Sequence, residues 1–209
     1  MHRVESSEHE RQLLWLAISK DDGEYGSLRG ILFERYAHRH LQYYKGPYQI
    51  RRLREKQHAE TDKKRLKLDG SESVDETLQI DIIETAYWTD ISEASRFKDR
   101  VYGRPISRRE GAVDSLQQPE RLFQMTVSRR HGILLQSARQ AVSVLRGKEK
   151  RLYFVVPSDK FHEWTVEQPY KKSNLKDDAK QTPNLAQYAL KIDMQLIRQM
   201  LLLQTDSNQ

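Results

Sequence analysis

An unbroken apolar segment, Arg151–Pro157, constrains the fold of this chain more than any other feature. Its core reads Leu152-Tyr153-Phe154-Val155-Val156, and a strand without polar alternation is typical of the middle of a sheet, where both faces are buried. The preceding segment, His131–Arg146, carries apolar residues at helical spacing and ends before Gly147. A strand, a helix and a second strand in this order indicate a right-handed crossover with parallel pairing. We therefore expect a mixed sheet covered by helices.

Two consecutive segments before this helix alternate between apolar and polar residues, which predicts strands with one buried face. The first is Ala112–Leu116 and the second is Leu122–Val127. A turn is expected between them around Gln118-Pro119, because proline fixes its own backbone angle and has no N–H donor. We expect these two strands to pair with each other.

Polar side chains lie on both of these strands. Asp114 is on the first strand, and Gln124 and Thr126 are on the second. Alternate residues of a strand share a face, so Gln124 and Thr126 should project together. An acidic residue beside such a pair can hold a hard cation next to a phosphodiester. The alternative is structural, since aspartate is common before turns and polar residues often form the solvated face of a strand.

The rest of the chain adds helices and a hairpin. Ser27–Tyr43 predicts an amphipathic helix that ends before Gly46-Pro47, and Tyr48–Leu53 and Thr77–Ile83 predict the two strands of the hairpin. Further elements are expected as a helix at Gln12–Ile18, helical turns at Ile91–Lys98, a basic loop at Pro105–Gly111 and a strand at Leu185–Met194.

These elements together indicate one α/β domain over residues 24–195 with a polar hairpin tip near 55–74. A short helical lead over 1–23 precedes the domain, and a C-terminal tail over 196–209 follows it.

Charge and composition narrow the possible functions. The 209 residues carry a formal net charge of +6, which favours nucleic acid or an anionic surface as partner. Cysteine is absent, which excludes disulfides, thiolate metal sites and a cysteine nucleophile. No apolar run approaches the length of a membrane span, so no membrane partner is expected. The hairpin tip carries a dense basic run, which is expected to contact phosphates or an import receptor unless it is a solvated loop: Lys63, Lys64, Arg65 and Lys67.

Five segments, taken in order, carry a resemblance to a known family: Gly26–His38, Ala112–Ser115, Leu122–Ser128 with His131, Tyr153–Pro157 and Gln187–Leu190. The set resembles the nuclease domain of Crinkler and RHS-type effector proteins, within the PD-(D/E)XK or restriction-endonuclease-like superfamily. There, a helix bearing a glutamate precedes an antiparallel strand pair carrying Asp and (E/Q)-x-K, and a helix and a further strand follow. The resemblance implies a restriction-endonuclease-like fold and a metal-dependent DNA endonuclease, which hydrolyses phosphodiester bonds.

The resemblance also assigns roles to particular residues. Asp114 would be the main ligand of Mg²⁺ or Mn²⁺, with Gln124 and Glu34 as further ligands, and Thr126 occupies the position of the catalytic lysine. Glutamine brings no charge to a metal, and threonine does not stabilise a leaving oxygen as lysine does. We expect Asp114, Gln124 and Glu34 to converge on one cleft, with the side-chain oxygens of the first two about 4–7 Å apart.

A nearby cation would have to replace the missing lysine, and His131, Arg129 and Arg130 are the candidates. His131 is expected at the start of the helix, where it would bind a phosphate or simply cap the helix. His38, one helical turn from Glu34, would line the same cleft or be solvated.

The resemblance further implies a location and partners. Family members act in the nucleus of a host or target cell, are in part secreted within longer precursors, and often carry an N-terminal ATPase module. The phosphate-loop string G-x-x-x-x-G-K-[ST] of such a module does not occur in this sequence. The alternative function is a catalytically inert, nuclease-like domain that binds DNA or a host protein through a basic face.

Overall fold

The α/β class expected from the sequence is confirmed by the computed structural model, in which an eight-stranded mixed sheet carries a helix on each face. The expected helix at Gln12–Ile18, the basic run in the hairpin tip and the C-terminal tail lie outside the residues that the structure describes. Those described residues are 26–44, 46–55, 75–107, 113–171 and 182–193.

The main sheet contains eight strands, which are β1 Pro47–Arg52, β2 Glu76–Gln79, β3 Glu84–Trp88, β4 Val101–Pro105, β5 Ser115–Gln117, β6 Arg121–Met125, β8 Arg151–Pro157 and β10 Ala186–Ile192. Their spatial order is β2-β1-β10-β8-β6-β5-β4-β3. The central strands β10, β8 and β6 run parallel, and β6, β5 and β4 pair antiparallel. At the edges, β1 is antiparallel to both β10 and β2, and β3 is parallel to β4.

Six smaller or flanking elements complete the described fold. The helices are α1 Gly26–Tyr43 and α2 Leu135–Ser143, and short 3₁₀ helices occupy Ile91–Arg96 and Phe161–Glu163. Strands β7 Ile133–Leu134 and β9 Tyr170–Lys171 form a separate parallel pair. Neither helix of the described chain is long and apolar enough to cross a membrane.

The apolar segment Arg151–Pro157 is the central strand β8, as its composition predicts, and it lies between β6 and β10 with residues 152–157 buried. Helix α2 connects β6 to β8, and the two strands are parallel, as expected for a crossover. The antiparallel pairing of β5 with β6 around the Gln118-Pro119 turn is also confirmed. The element order expected for a restriction-endonuclease-like core is therefore present.

Each face of the sheet packs against its own helix. On one face Phe33, Ala37 and Leu41 of α1 cluster with Phe123 and Tyr153 of the central strands. On the other face, alternate residues of the same strands cluster with Ala138 and Ala141 of α2. These strand residues are Leu122, Leu152 and Phe154. Burying each large apolar side chain contributes about 1.5–3 kcal/mol. Because successive side chains of β6 point to opposite faces, they pack in turn against α2 and against α1.

The β5–β6 turn is held by a buried glutamine. The Gln118 amide donates to the carbonyls of Ala94 and Val144, each at 2.8 Å, and its Oε1 accepts the Arg146 N–H at 3.3 Å. The side chain thus ties the turn to a 3₁₀ helix and to the C-terminal end of α2.

The helix expected from His131 begins instead at Leu135, because residues before it are held in an extended conformation. The Ile133 N–H donates to the Pro169 carbonyl at 3.0 Å, and Ile133 and Leu134 pair with Tyr170 and Lys171. Pairing between distant segments thus overrides the local helical periodicity.

Strands β3 and β4 were not expected from the sequence, which placed a basic loop from Pro105. They pair with each other, and Gly103 of β4 lies under the rings of Trp88 and Phe97. A Cβ at Gly103 would lie 2.8 Å from the Trp88 ring, so only glycine permits this close approach.

Candidate active site

The Asp114 carboxylate lies at the end of the β5–β6 pair, and Gln124 contacts it directly. The Gln124 Nε2 amide donates to Asp114 Oδ2 at 3.1 Å, and the Met125 backbone N–H donates to the same oxygen at 2.6 Å. The Asp114 N–H in turn donates to the Phe123 carbonyl at 2.9 Å. The Asp114 carboxylate thus accepts the hydrogen bond from the Met125 N–H that a backbone carbonyl would accept if the β5–β6 pair continued. The structure brings Asp114 and Gln124 together, as the strand pairing predicts.

Gln124 and Thr126 are turned into the protein. They are 8% and 6% exposed, so the alternative of a solvated strand face is wrong for both. The Thr126 hydroxyl accepts the Ser128 N–H at 3.1 Å, and the Thr126 N–H donates to the Val155 carbonyl at 3.0 Å. Thr126 therefore closes the end of β6, and its position supplies no positive charge where the superfamily has lysine.

Glu34 reaches the sheet from the face opposite to Gln124. Helix α1 packs its Phe33 into the cluster that contains Met125. Leu122 shares a face with Gln124, since the two are alternate residues of β6, and Leu122 belongs to the cluster around α2. The three expected metal ligands therefore do not share one face of the sheet. The expectation of one common cleft, on which the roles of these residues and the nuclease assignment were to depend, is not met for Glu34. The packing of α1, which no local pattern specifies, decides this.

Glu34 lies instead at one end of a buried polar chain. Its Oε1 is 4.0 Å from Nε2 of His38, and the His38 Nδ1 lies 2.8 Å from the Tyr102 hydroxyl. Ser115, the residue after Asp114, donates its hydroxyl to Tyr102 at 2.7 Å. His38 is 2% exposed, so the expectation of a solvated histidine is wrong.

His131 does not occupy the N-terminus of α2, because that helix begins four residues later. Its N–H donates to Gln168 Oε1 at 2.9 Å, and its ring lies 6.4 Å from the ring of Phe154, the partner of Gln124 in the β6–β8 register. Burial, together with the positive charge of Lys171, lowers the pKa of His131. The imidazole is therefore neutral at pH 7 and does not supply the missing charge.

The two arginines expected at the opening are on its exposed side. The Arg129 Nε pairs with Glu163 Oε2 at 2.8 Å, and the Arg129 side chain is 72% exposed. Arg130 is also exposed. An exposed pair of this kind is strongly screened, so the charge of Arg129 acts only weakly on the buried side chains of the site.

Two further cations lie beside residues already described, and the sequence did not single them out. The Lys171 side chain passes directly over Gly132, next to His131, and a Cβ at Gly132 would overlap it. Arg104, the last residue but one of β4, lies opposite the start of β5, because Gly103 pairs with Leu116 in an antiparallel register. No local signal marks either residue, since both positions depend on strand pairing.

Among the described residues, Asp114 and Gln124 supply one carboxylate and one side-chain amide at the β5–β6 end. Mg²⁺ is commonly held by one or two carboxylates together with substrate phosphates and water. Asp114 fits this role, whereas the Gln124 amide faces the carboxylate with its nitrogen and would have to turn over to offer its oxygen to the same ion. In the described part of the chain, no group of three or more His, Asp or Glu side chains is placed to hold a metal. The residues thus fit a metal whose coordination the substrate completes.

Comparison of the chain with protein-family models, with curated proteins and with solved structures found no match. The functional assignment therefore depends on the geometry of the β5–β6 end and on the order of the elements around it.

Proposed function

We propose that this chain is a metal-dependent DNA endonuclease whose metal-binding position is formed by Asp114 and Gln124. One observation carries the proposal: the two side chains meet at 3.1 Å at the end of an antiparallel strand pair. That pair stands between α1 and the α2–β8 unit, which is the order expected for a restriction-endonuclease-like nuclease. The Asp114–Gln124 contact and this order of elements occur together, and both support assignment as a nuclease.

The residues of the site would have separate roles in metal binding and phosphate binding. Asp114 would hold Mg²⁺ or Mn²⁺, and Gln124 would orient the carboxylate through its amide and add a neutral oxygen. When bound, the ion would activate the attacking water and neutralise the leaving oxygen. Lys171 is the cation that would offset charge on the DNA phosphate in place of a lysine at Thr126. Arg129 and Arg130 would contact neighbouring phosphates.

The biological setting follows the family resemblance. We propose an effector-type nuclease of the Crinkler and RHS kind that acts in the nucleus of a host or target cell. The formal net charge of +6 supports a nucleic-acid partner. An ATPase module in a longer protein belongs to the same proposal.

A second function is favoured by a specific observation. Gln124 and Thr126 stand where active members of the superfamily have an acid and a lysine, and neither brings charge. An inert domain that binds DNA or a host protein through its basic face would need neither residue. The two functions differ in whether DNA is cut.

Supercoiled plasmid distinguishes them. We expect the wild-type protein to nick plasmid in Mg²⁺ or Mn²⁺ and to leave it intact in EDTA, because the chemistry depends on a bound ion. Agarose electrophoresis over time measures the nicked fraction. Nicking that persists in EDTA would contradict a metal-dependent nuclease. Intact plasmid in both metals, together with a gel shift, would establish the binding domain instead.

Lys171 offers a test of the phosphate contacts. Lys171→Met keeps the aliphatic stem over Gly132 and removes the charge, so the slope of log affinity against log salt should become shallower by about 1. Fluorescence anisotropy with a short DNA duplex at several salt concentrations measures the slope. Gly132→Ala should weaken binding in the same direction, because its methyl group displaces the Lys171 chain.

The matched control is Lys148→Met. Lys148 is exposed beyond the C-terminal end of α2, away from the β5–β6 end, and its loss should leave the slope unchanged. Equal slopes for Lys171→Met and wild type would show that Lys171 does not contact DNA.

A further inference from the structure

A buried polar chain connects helix α1 to the backbone next to Asp114. Its members are Ser115, Tyr102, His38 and Glu34, joined at 2.7, 2.8 and 4.0 Å. Tyr102 and Ser115 are fully buried, and His38 is nearly so. A buried polar network with all its members paired fixes side-chain directions, because hydrogen bonds are stronger in the low-dielectric interior of a protein. The chain therefore holds β4, β5 and α1 in one arrangement.

The members of this chain contact one another in a fixed order. Ser115 donates its hydroxyl to the Tyr102 oxygen. The Tyr102 hydroxyl and His38 Nδ1 share the next hydrogen bond, in which the donor depends on the tautomer of His38. His38 Nε2 faces the Glu34 carboxylate. Burial raises the pKa of Tyr102 far above its ordinary value, so the phenol keeps its proton. The chain thus links Ser115 to Glu34 through Tyr102 and His38.

The end of the chain at Ser115 adjoins the carboxylate of the site. Ser115 pairs with Phe123, and the Asp114 N–H bonds the carbonyl of that same residue. A bend of the backbone at Asp114 directly precedes Ser115, the first residue of β5. Tyr102 is therefore connected to Asp114 through the side chain and backbone of Ser115.

We propose that Ser115, Tyr102 and His38, anchored by Glu34, form a positioning chain that directs the Asp114 carboxylate. Glu34 then acts on the site through His38, and not as a metal ligand. The proposal deepens the proposed function, since it concerns the same carboxylate. It also explains how a glutamate on the α1 face contributes to a site whose glutamine is on the α2 face.

The experiment uses Tyr102→Phe and Ser115→Ala, each of which removes one hydroxyl without changing the fold of the strand. The first readout is hydrogen exchange of the Met125 amide by NMR, because this N–H is bonded to Asp114 Oδ2. We expect exchange at least about 10-fold faster, relative to neighbouring amides of β6, in both variants. The second readout is Mn²⁺ binding by calorimetry, where we expect affinity to fall about three- to tenfold.

Gln118→Met is the matched control. It also breaks buried hydrogen bonds, but at the opposite end of β5. It should lower global stability and leave the relative exchange of Met125 unchanged. Glu34→Gln tests the role of the glutamate, since glutamine still offers an oxygen to His38. It should bind Mn²⁺ within about threefold of wild type, whereas loss of a direct ligand would cost far more.

Met125 exchange in Tyr102→Phe and Ser115→Ala that matches the Gln118→Met control would overturn the positioning chain. A large loss of Mn²⁺ affinity in Glu34→Gln would also overturn it, because Glu34 would then be a ligand. If the wild-type protein binds no Mn²⁺ but Met125 still exchanges faster in Tyr102→Phe and Ser115→Ala, the proposed nuclease is contradicted and the positioning chain is supported.

Discussion

Replacing Asp114 with asparagine should reduce Mg²⁺-dependent DNA cleavage at least about 100-fold, which equals about 2.7 kcal/mol of transition-state stabilisation. Asparagine keeps an oxygen that can accept the Met125 N–H, so the end of the β5–β6 pair should stay folded. It removes the negative charge, and a hard divalent cation binds a neutral amide far more weakly than a carboxylate. The initial rate of plasmid nicking at several Mg²⁺ concentrations measures the effect.

The control for this substitution is Asp81→Asn. Asp81 is an exposed carboxylate paired with Arg100, and its carbonyl accepts a bond from Gln117 at the opposite end of β5. Its loss changes the net charge equally and should leave the cleavage rate within about twofold, since exposed ion pairs contribute little. A similar rate for Asp114→Asn and wild type would show that cleavage, if present, is carried by another site.

Acid should destabilise the protein through His40, by about 3 kcal/mol between pH 6.5 and pH 4. His40 is 7% exposed among the rings of Tyr36, Tyr44 and Tyr48. Within the described residues its Nε2 has no hydrogen-bond partner. Burial lowers its pKa from 6.5 to about 4, although the nearby Asp193 charge opposes this shift.

The direction of the effect follows from proton binding. Between these two pH values the unfolded chain binds a proton at His40 and the folded protein does not. Stability from this residue is therefore complete above pH 6.5 and is lost as the pH falls toward 4. Urea unfolding at about pH 7.5, 6.5, 5.5, 4.5 and 4 measures it, because these values cover the whole range over which the loss is expected.

His40→Phe isolates the contribution of this residue. Tyr48 would lose the His40 ring but keep its bonds to the carbonyls of residues 40 and 44, each at 3.2 Å. The variant should lose about 3 kcal/mol less than wild type between pH 6.5 and 4. His162→Asn, at a side chain that is 75% exposed, should retain the wild-type pH dependence. Parallel curves for His40→Phe and wild type would rule out His40 as the acid-sensitive group.

The elements that could be derived from the sequence are those with a strong local pattern. The central strand β8, the paired strands β5 and β6 and the long helix α1 were all found within a few residues of their expected bounds. The expectation that β5 and β6 have only one buried face is wrong, because both faces of each strand are buried. Local periodicity reports which faces of a segment are buried, and the strand–helix–strand order restricts the topology to a parallel crossover. The contact between Asp114 and Gln124 follows from these patterns, because paired strands bring their neighbours together.

Only the tertiary structure decided which residues meet across the sheet. Helix α1 packs on the face opposite to Gln124, so the Glu34 carboxylate faces His38, which in turn is hydrogen-bonded to Tyr102. Pairing of β7 with β9 shortens α2, withdraws its N-terminus from His131 and carries Lys171 over Gly132. These placements depend on strand register and on the choice of helix face, which are set by contacts between distant segments. A local pattern specifies that a side chain is buried, but the packing of the whole sheet determines what it is buried against.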